Sequence, residues 1–289
     1  ALTSPERGYT VLLNEVIRME NLQILGFDED YMTVADYRKY KEKLDCELLG
    51  ASKLMSELRV VKDEEEIRRL TKAQRISEKA LAEVLEFIRP GVTEKEIAAK
   101  LKYLMEIYGA EKEGFDPIVV AGENGAMPHG VPSDKPVQNG EFITMDFGCI
   151  AEGYRSDMTR TVALGYVTEE MREVYETVLR AQTEAIAATA AGKTGKEIDG
   201  IARKIITDTG YGEYFGHSYG HGVGVEIHEA PGVGSKSTTP LPAGAVTSAE
   251  PGIYLPGKFG VRIEDTCVYL ADGIEILTHS PKELIVVPV

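Results

Sequence analysis

Histidine is scarce in this chain, with five in 289 residues. Cysteine is scarcer. Cys46, Cys149 and Cys267 are far apart, odd in number and form no CxxC pair. That argues against a disulfide framework and a thiolate-rich zinc site, and it fits a reducing cytoplasm. None of the three reads as a nucleophile. Positive charge is in deficit, 32 Lys and Arg against 47 Asp and Glu, for a net charge of −15. This excludes a broad basic surface for nucleic acid. No apolar run reaches the roughly 18 residues of a membrane-spanning helix, so no membrane span is expected. The N-terminal ALTSPERGYT lacks the basic-then-apolar pattern of a signal peptide. What remains is a globular composition, 43% hydrophobic and 27% charged, long enough for one large domain or two.

The first sixty or so residues differ from the rest. VLLNEVIRMENLQILGF has no long clean period, whereas YMTVADYRKYKEKL and ASKLMSELRVV read as short helices. VVKDEEEIRRL then opens a long amphipathic segment, with Asp63 as its cap and Glu66 closing a capping box. The domain boundary falls near Val60 to Lys62, giving an N-terminal domain over 1–60 and a larger one over 61–289. Beyond the boundary the chain repeats. PGVTEKEI (Pro90–Ile97) and AGKTGKEI (Ala191–Ile198) each follow one long helical segment and open another, at an offset of 101 residues. The second helix of each pair ends at a glycine, Gly109 and Gly210, at the same offset. After each pair come β-rich stretches with turn residues, EFITMDFGCIAEGYRSDMTRTVAL and GAVTSAEPGIYLPGKFGVRIEDTCVYL. Duplicated helix pairs followed by hairpins imply an α+β domain of pseudo-twofold symmetry, with helices outside a curved antiparallel sheet.

Asp146 and Asp157 are equidistant from a turn placed between Ala151 and Glu152. Glu250 and Glu264 are equidistant from Gly257. Residues opposed across a hairpin share a face, with Cβ atoms about 5 Å apart. Two such carboxylate pairs, brought together by the duplication, would repel and would raise a pKa unless cations lie between them. Solvated surface pairs are the ordinary alternative for any one carboxylate. Two divalent ions offset four negative charges, and ions about 3.5–4 Å apart form a hydrolytic centre. Oxygen-rich ligation with one imidazole suits manganese, cobalt, iron or zinc.

GHSYGHGVGVEIHEAP (Gly216–Pro231) gathers His217, His221 and His228, and His129 lies in the loop-like AMPHGVP. No HExxH motif occurs, which excludes a helical zinc-protease site. The glycines of this segment argue for extended backbone and close approaches. A strand starting at Gly222 would turn Val223, Val225 and Ile227 to one side. His279 reads as a surface residue.

The blocks MDFGCIAEGYRSDMTRT, HSYGHGVGVEIHEAP, AEPGIY and GVRIED resemble the metallopeptidases of the creatinase/aminopeptidase, or pita-bread, fold. They are most similar to its Xaa-Pro dipeptidase (prolidase) and Xaa-Pro aminopeptidase branch, and the resemblance runs from about Leu58 to the end. It implies five metal ligands at Asp146, Asp157, His221, Glu250 and Glu264. Asp157 and Glu264 would bridge two divalent ions, manganese foremost, with cobalt, zinc or iron also accepted. Asp146 would hold one ion, and His221 and Glu250 the other. Glu250 would also shuttle the proton of a bridging water. His129, His217 and His228 match substrate-facing histidines that orient the scissile carbonyl, and Arg262 an arginine close to the metals. The implied activity is hydrolysis of the Xaa-Pro bond in dipeptides or short peptides by a cytoplasmic homodimer. A methionine aminopeptidase with the same ligands, or a non-catalytic peptide-binding relative, stays as an alternative. The N-terminal domain is shorter than the resemblance leads one to expect.

Overall fold

The structure, a computed structural model, describes residues 7–289. One compact unit runs to Leu58 and a second from Arg59 to Val289. In the first lie α1 (Tyr9–Met19), β1 (Ile24–Phe27), α2 (Val34–Lys43) and β2 (Glu47–Gly50). α3 (Ser52–Val60) follows and crosses the division. β1 and β2 pair in parallel, Ile24 against Glu47. The stretch without a clean period holds most of a helix and all of a strand, so neither period could dominate it.

The second unit begins with α4 (Glu64–Phe87) and α5 (Glu94–Ile107). Strands β3 (Lys112–Glu113), β4 (Ile118–Ala121), β5 (Phe142–Phe147), β6 (Cys149–Ala151), β7 (Tyr154–Arg155) and β8 (Met158–Leu164) complete its first half. The second half opens with α6 (Glu169–Ala187) and α7 (Gly195–Asp208). It continues with β9 (Gly220–Gly222), β10 (Glu229–Val233), β11 (Val246–Ala249), β12 (Gly252–Leu255), β13 (Phe259–Arg262), β14 (Asp265–Leu270), β15 (Gly273–Ile276) and β16 (Val286–Val287).

The duplication is visible atom by atom. Thr93 caps α5 and Thr194 caps α7, each accepting from the backbone of a glutamate, Glu96 or Glu197, that reaches back to the cap. These capping boxes satisfy helix-end donors that would otherwise lack partners. Asp63 and Glu66 do the same for α4. Gly91 and Gly192, before the two caps, sit at φ +93° and +90°, a region a side chain rarely tolerates. The Val137 amide donates to the Val92 carbonyl, and the Leu241 amide to that of Lys193, both at 2.8 Å. Each helix pair covers its own core. Ile97, Leu101 and Leu104 meet Val119, Met145 and Met158 in one. Val178, Ile198 and Ala202 meet Ile253, Val261 and Cys267 in the other.

The strands form several ladders, not one continuous sheet. Their orders are β16-β8-β5-β4 and β10-β9-β11-β14-β15, with shorter ladders β3-β6-β7 and β12-β13. All these pairings are antiparallel except the two-residue addition of β16 to β8. The first hairpin is two residues out of the predicted register. Asp146 faces Thr159, and Ala151 faces Tyr154. The turn is therefore Glu152–Gly153, with φ of 51° and 79°. Two left-handed residues match the right-handed twist of the flanking strands, which is why the chain turns there and not one residue earlier. The second hairpin keeps its predicted register. Gly252 faces Arg262 and Ala249 faces Asp265, an alignment in which Glu250 faces Glu264.

Candidate metal centre

The second hairpin interrupts its ladder at the carboxylates, Glu250 between β11 and β12 and Glu264 between β13 and β14. The Glu250 amide donates to the Tyr219 carbonyl at 2.8 Å, and the Glu264 amide to the Thr159 carbonyl at 3.1 Å. In β5 the neighbours Met145 and Phe147 enter the helix-side core. Alternation then turns Asp146 to the opposite face. Asp157 precedes β8, and Gly148 lies against the preceding residue. A Cβ on Gly148 would come within 1.9 Å of the Ser156 carbonyl oxygen, so only glycine lets the chains close here.

One cavity of about 500 Å³ is lined by Asp146, Asp157, His221, Glu250, Glu264, His129, His217, His228 and Arg262. All nine residues singled out from sequence therefore share it. Phe115, Ile118, Ile227 and Val233 add apolar wall. Ligand atoms of Asp157, His221 and Glu264 lie within 4.8 Å of one another. His221 Nε2 is 3.2 Å from Glu250 Oε1 and 3.5 Å from Asp157 Oδ2. Asp146 accepts from Arg262 Nη2 at 2.5 Å, and its other oxygen, Oδ1, is buried without a hydrogen-bond partner.

Burial, then the Asp146 charge, pushes the Asp157 carboxyl well above the usual carboxylate range. Burial, then Asp157, does the same to Glu264. Burial also raises Asp146, with Arg262 opposing it. Glu250 is the exception. Burial would raise it, but its hydrogen bond with His221 and the imidazolium charge hold it at about 2. Burial would lower His221, and Glu250 outweighs that to lift it to about 9. A set of crowded, dehydrated carboxylates with one imidazole and an orphaned carboxylate oxygen fits a divalent cation. Oxygen and nitrogen donors of this kind suit manganese, iron, cobalt or zinc.

The histidine segment divides. His221 is in β9, its amide donating to Ser248 Oγ at 3.0 Å, and Ser248 Oγ donates to Glu250 Oε1 at 2.9 Å. His217 Nδ1 is 2.8 Å from the Ser218 carbonyl, so Nδ1 carries the proton and Nε2 accepts from the Tyr254 hydroxyl at 2.8 Å. Tyr254 in turn accepts from Arg262 Nη1 at 2.7 Å. Burial lowers the His217 pKa. His228 is exposed, with its ring centre 4.1 Å from that of His221, and burial of part of the ring lowers its pKa. The strand expected to start at Gly222 does not form, since β9 ends at that residue. Residues 223–228 form a connection in which Val223 is buried and Val225 is exposed, so the expected alternation fails. Its glycines do mark close approaches. A Cβ on Gly220 would lie 2.2 Å from the Ser248 oxygen. His279 is exposed, as expected.

Three functional neighbours escaped the sequence reading. Thr159 accepts from Arg262 Nε at 3.0 Å and donates to Glu264 Oε2 at 2.7 Å. Tyr254 and Ser248 complete the contacts to His217 and Glu250. Tyr254 and Thr159 lie inside the recognised blocks. Ser248, two residues before Glu250, carries only the signal of a hydroxyl in a buried strand.

Comparison with known proteins follows the same lines. Residues 68–270 match metallopeptidase family M24, and residues 3–61 match the creatinase/prolidase N-terminal domain. A Xaa-Pro dipeptidase of Pyrococcus furiosus is 43% identical, over 92% of this chain and 77% of that protein. The solved Xaa-Pro dipeptidase from Bacillus anthracis superposes with a TM-score of 0.92 at 45% identity, covering 95% of this chain and 78% of that one. The X-Pro aminopeptidase from Thermotoga maritima gives 0.93 at 42%, covering 97% and 80%. These matches extend over the helix pairs, the hairpins and the cavity, and the chain belongs to metallopeptidase family M24, a family of metal-dependent peptidases.

Proposed function

We propose that the chain hydrolyses the bond between an N-terminal residue and a following proline. The observation that carries this reading is the cavity itself, where three carboxylates are held above their ordinary pKa beside a fourth, one imidazole and the unpartnered Asp146 Oδ1. The relatives named above supply the substrate class. Asp146, Asp157, His221, Glu250 and Glu264 would hold two divalent ions, with manganese the first candidate. Bound there, such ions polarise a carbonyl and make water a nucleophile near neutral pH. Glu250, ionised at neutral pH, takes the proton from the attacking water and delivers it to the proline nitrogen as the C–N bond breaks. The water oxygen stays on the new carboxyl group, whose remaining proton passes to the proline amine to leave a carboxylate and an ammonium. His129, His217 and His228 face the scissile carbonyl and steady the negative charge that develops on its oxygen. Arg262 holds Asp146 and, through Tyr254, the neutral tautomer of His217.

An Xaa-Pro bond lacks the N–H that strand-like substrate binding uses. A site that grips the free amino terminus and the carbonyl has no need of it. Residues 61–289 form the catalytic domain and 1–60 the N-terminal domain of a cytoplasmic homodimer. Among the described residues no helix is long and apolar enough to cross a membrane. A length series tests the proposal. Manganese-loaded protein should cleave Xaa-Pro and Xaa-Pro-Yaa, and their relative rates separate dipeptidase from aminopeptidase. Intact substrates across neutral pH would refute it.

A further inference from the structure

The segment Gly222–Glu229 is a hairpin connection with an unusual internal anchor. Gly222 pairs with Glu229, and residues 223–228 bridge them, ending in His228. The Glu229 side chain is 6% exposed and folds back beneath its own loop. Its Oε2 accepts from the Glu226 amide at 3.1 Å. Gly224 makes room for it, since a Cβ there would lie 2.4 Å from Glu229 Oε1. That same Oε1 takes a 2.6 Å hydrogen bond from Lys62 Nζ, whose side chain is 2% exposed.

Lys62 is itself fixed. Its amide donates to the Gly244 carbonyl at 2.8 Å, next to the bridge between Val61 and Ala245. Ala245 leads directly into β11, which ends one residue before Glu250. A short chain of contacts thus runs from the strand that delivers Glu250, through Lys62 and Glu229, to the loop that delivers His228. On the outer side, the Arg155 amide donates to the Gly224 carbonyl at 2.9 Å, and Arg155 Nε to that of Val225 at 2.9 Å. Those contacts hold the middle of the loop. Beside the backbone ladder that runs from Glu229 through Gly222 to Thr247 of β11, the Lys62–Glu229 pair is a side-chain tie between the His228 end of the loop and the β11 side.

We propose that Lys62 is a positioning residue, which sets the place of His228 relative to the carboxylates through its buried ion pair with Glu229. A buried carboxylate deprived of its cation would pull toward water and carry the adjacent His228 with it. The inference rests on the proposed function for its kinetic part only.

The test compares Lys62→Met and Glu229→Gln with the unaltered protein, with and without His228→Ala. Lys62→Met should retain bound metal and lower kcat about tenfold to a hundredfold, the scale of a misplacement near 1 Å. In the His228→Ala background it should cost nothing further. Amide exchange of residues 223–228 should accelerate in both single variants, in metal-free protein as well. An equal kcat loss with His228 absent, or unchanged exchange of the loop, would overturn the proposal. Should Lys62→Met not fold, Glu229→Gln, which keeps the buried volume, carries the same comparison. If the unaltered protein cleaves no Xaa-Pro bond, the functional reading fails, while loop exchange still decides the role of Lys62.

Discussion

His221 and His228 stand with ring centres 4.1 Å apart, yet their neighbours assign them different work. His221 Nε2 points among Asp157 and Glu250, whereas His228 is exposed to the cavity. His221→Ala should therefore lower metal affinity by more than the 10- to 100-fold typical of an outer-sphere partner. His228→Ala should keep the metal and lower kcat by about a hundredfold or more. Metal analysis beside steady-state kinetics separates the two, and equal metal loss would contradict the division.

The same residues set a pH dependence. In metal-free protein the folded pKa of His221, at about 9, lies above its unfolded value near 6.5. Its contribution is present in full below pH 6.5 and is lost as pH rises through 9. Asp157 and Glu264, also raised, shift stability in the same direction. Glu250, held at about 2, contributes above the ordinary glutamate value and loses its effect only on acidification. The Tm of metal-free protein should thus fall between pH 6.5 and 9. Metal binding requires deprotonated ligands. Loaded protein should lack that fall, and metal affinity should rise with pH over the same interval. Thermal melts at both ends of the interval, with and without metal, check both signs.

At the scale of elements, the duplicated helix pairs were legible because their signals are local. Thr93-Glu96 and Thr194-Glu197 announce helix starts in the letters, and both boxes form. Thr194→Ala should lower stability by about 1 kcal/mol, as loss of an N-cap does, with no change in metal content. Denaturant melts give the number. The hairpins were less legible. Centring on Gly257 found the right register for Glu250 and Glu264. Centring between Ala151 and Glu152 misplaces the partner of Asp146 by two residues, because the symmetry of the carboxylates does not coincide with the turn at Glu152–Gly153. Gly153 held the missing information, since a two-residue turn wants its glycine at a left-handed position. Gly148→Ala should be severe, as its Cβ would meet backbone and not a movable side chain. Soluble yield and bound metal should both drop.

For the whole molecule, the architecture and the nine residues that share the cavity are legible in the sequence, since they lie in four dense blocks and one histidine loop. What depends on folding at a distance is not legible there. Thr159, Tyr254 and Ser248 matter through partners up to 105 residues away. Lys62 meets Glu229 across 167 residues, a separation no local pattern reveals. Metal ties these distant pieces together thermodynamically, because an ion that binds only the folded site stabilises it by RT ln(1 + [L]/Kd), about 2.7 kcal/mol at a hundred times Kd.

One metal-dependent centre is expected to cleave bonds to proline. Its most direct test is the hydrolysis of Ala-Pro by chelator-treated protein, before and after titration with Mn2+, with Ala-Ala as the comparison substrate. Expected are negligible cleavage without metal, recovery that saturates as the ions bind, and a strong preference for Ala-Pro. Cleavage that persists undiminished in chelator, or restored protein that leaves Ala-Pro intact, would contradict it.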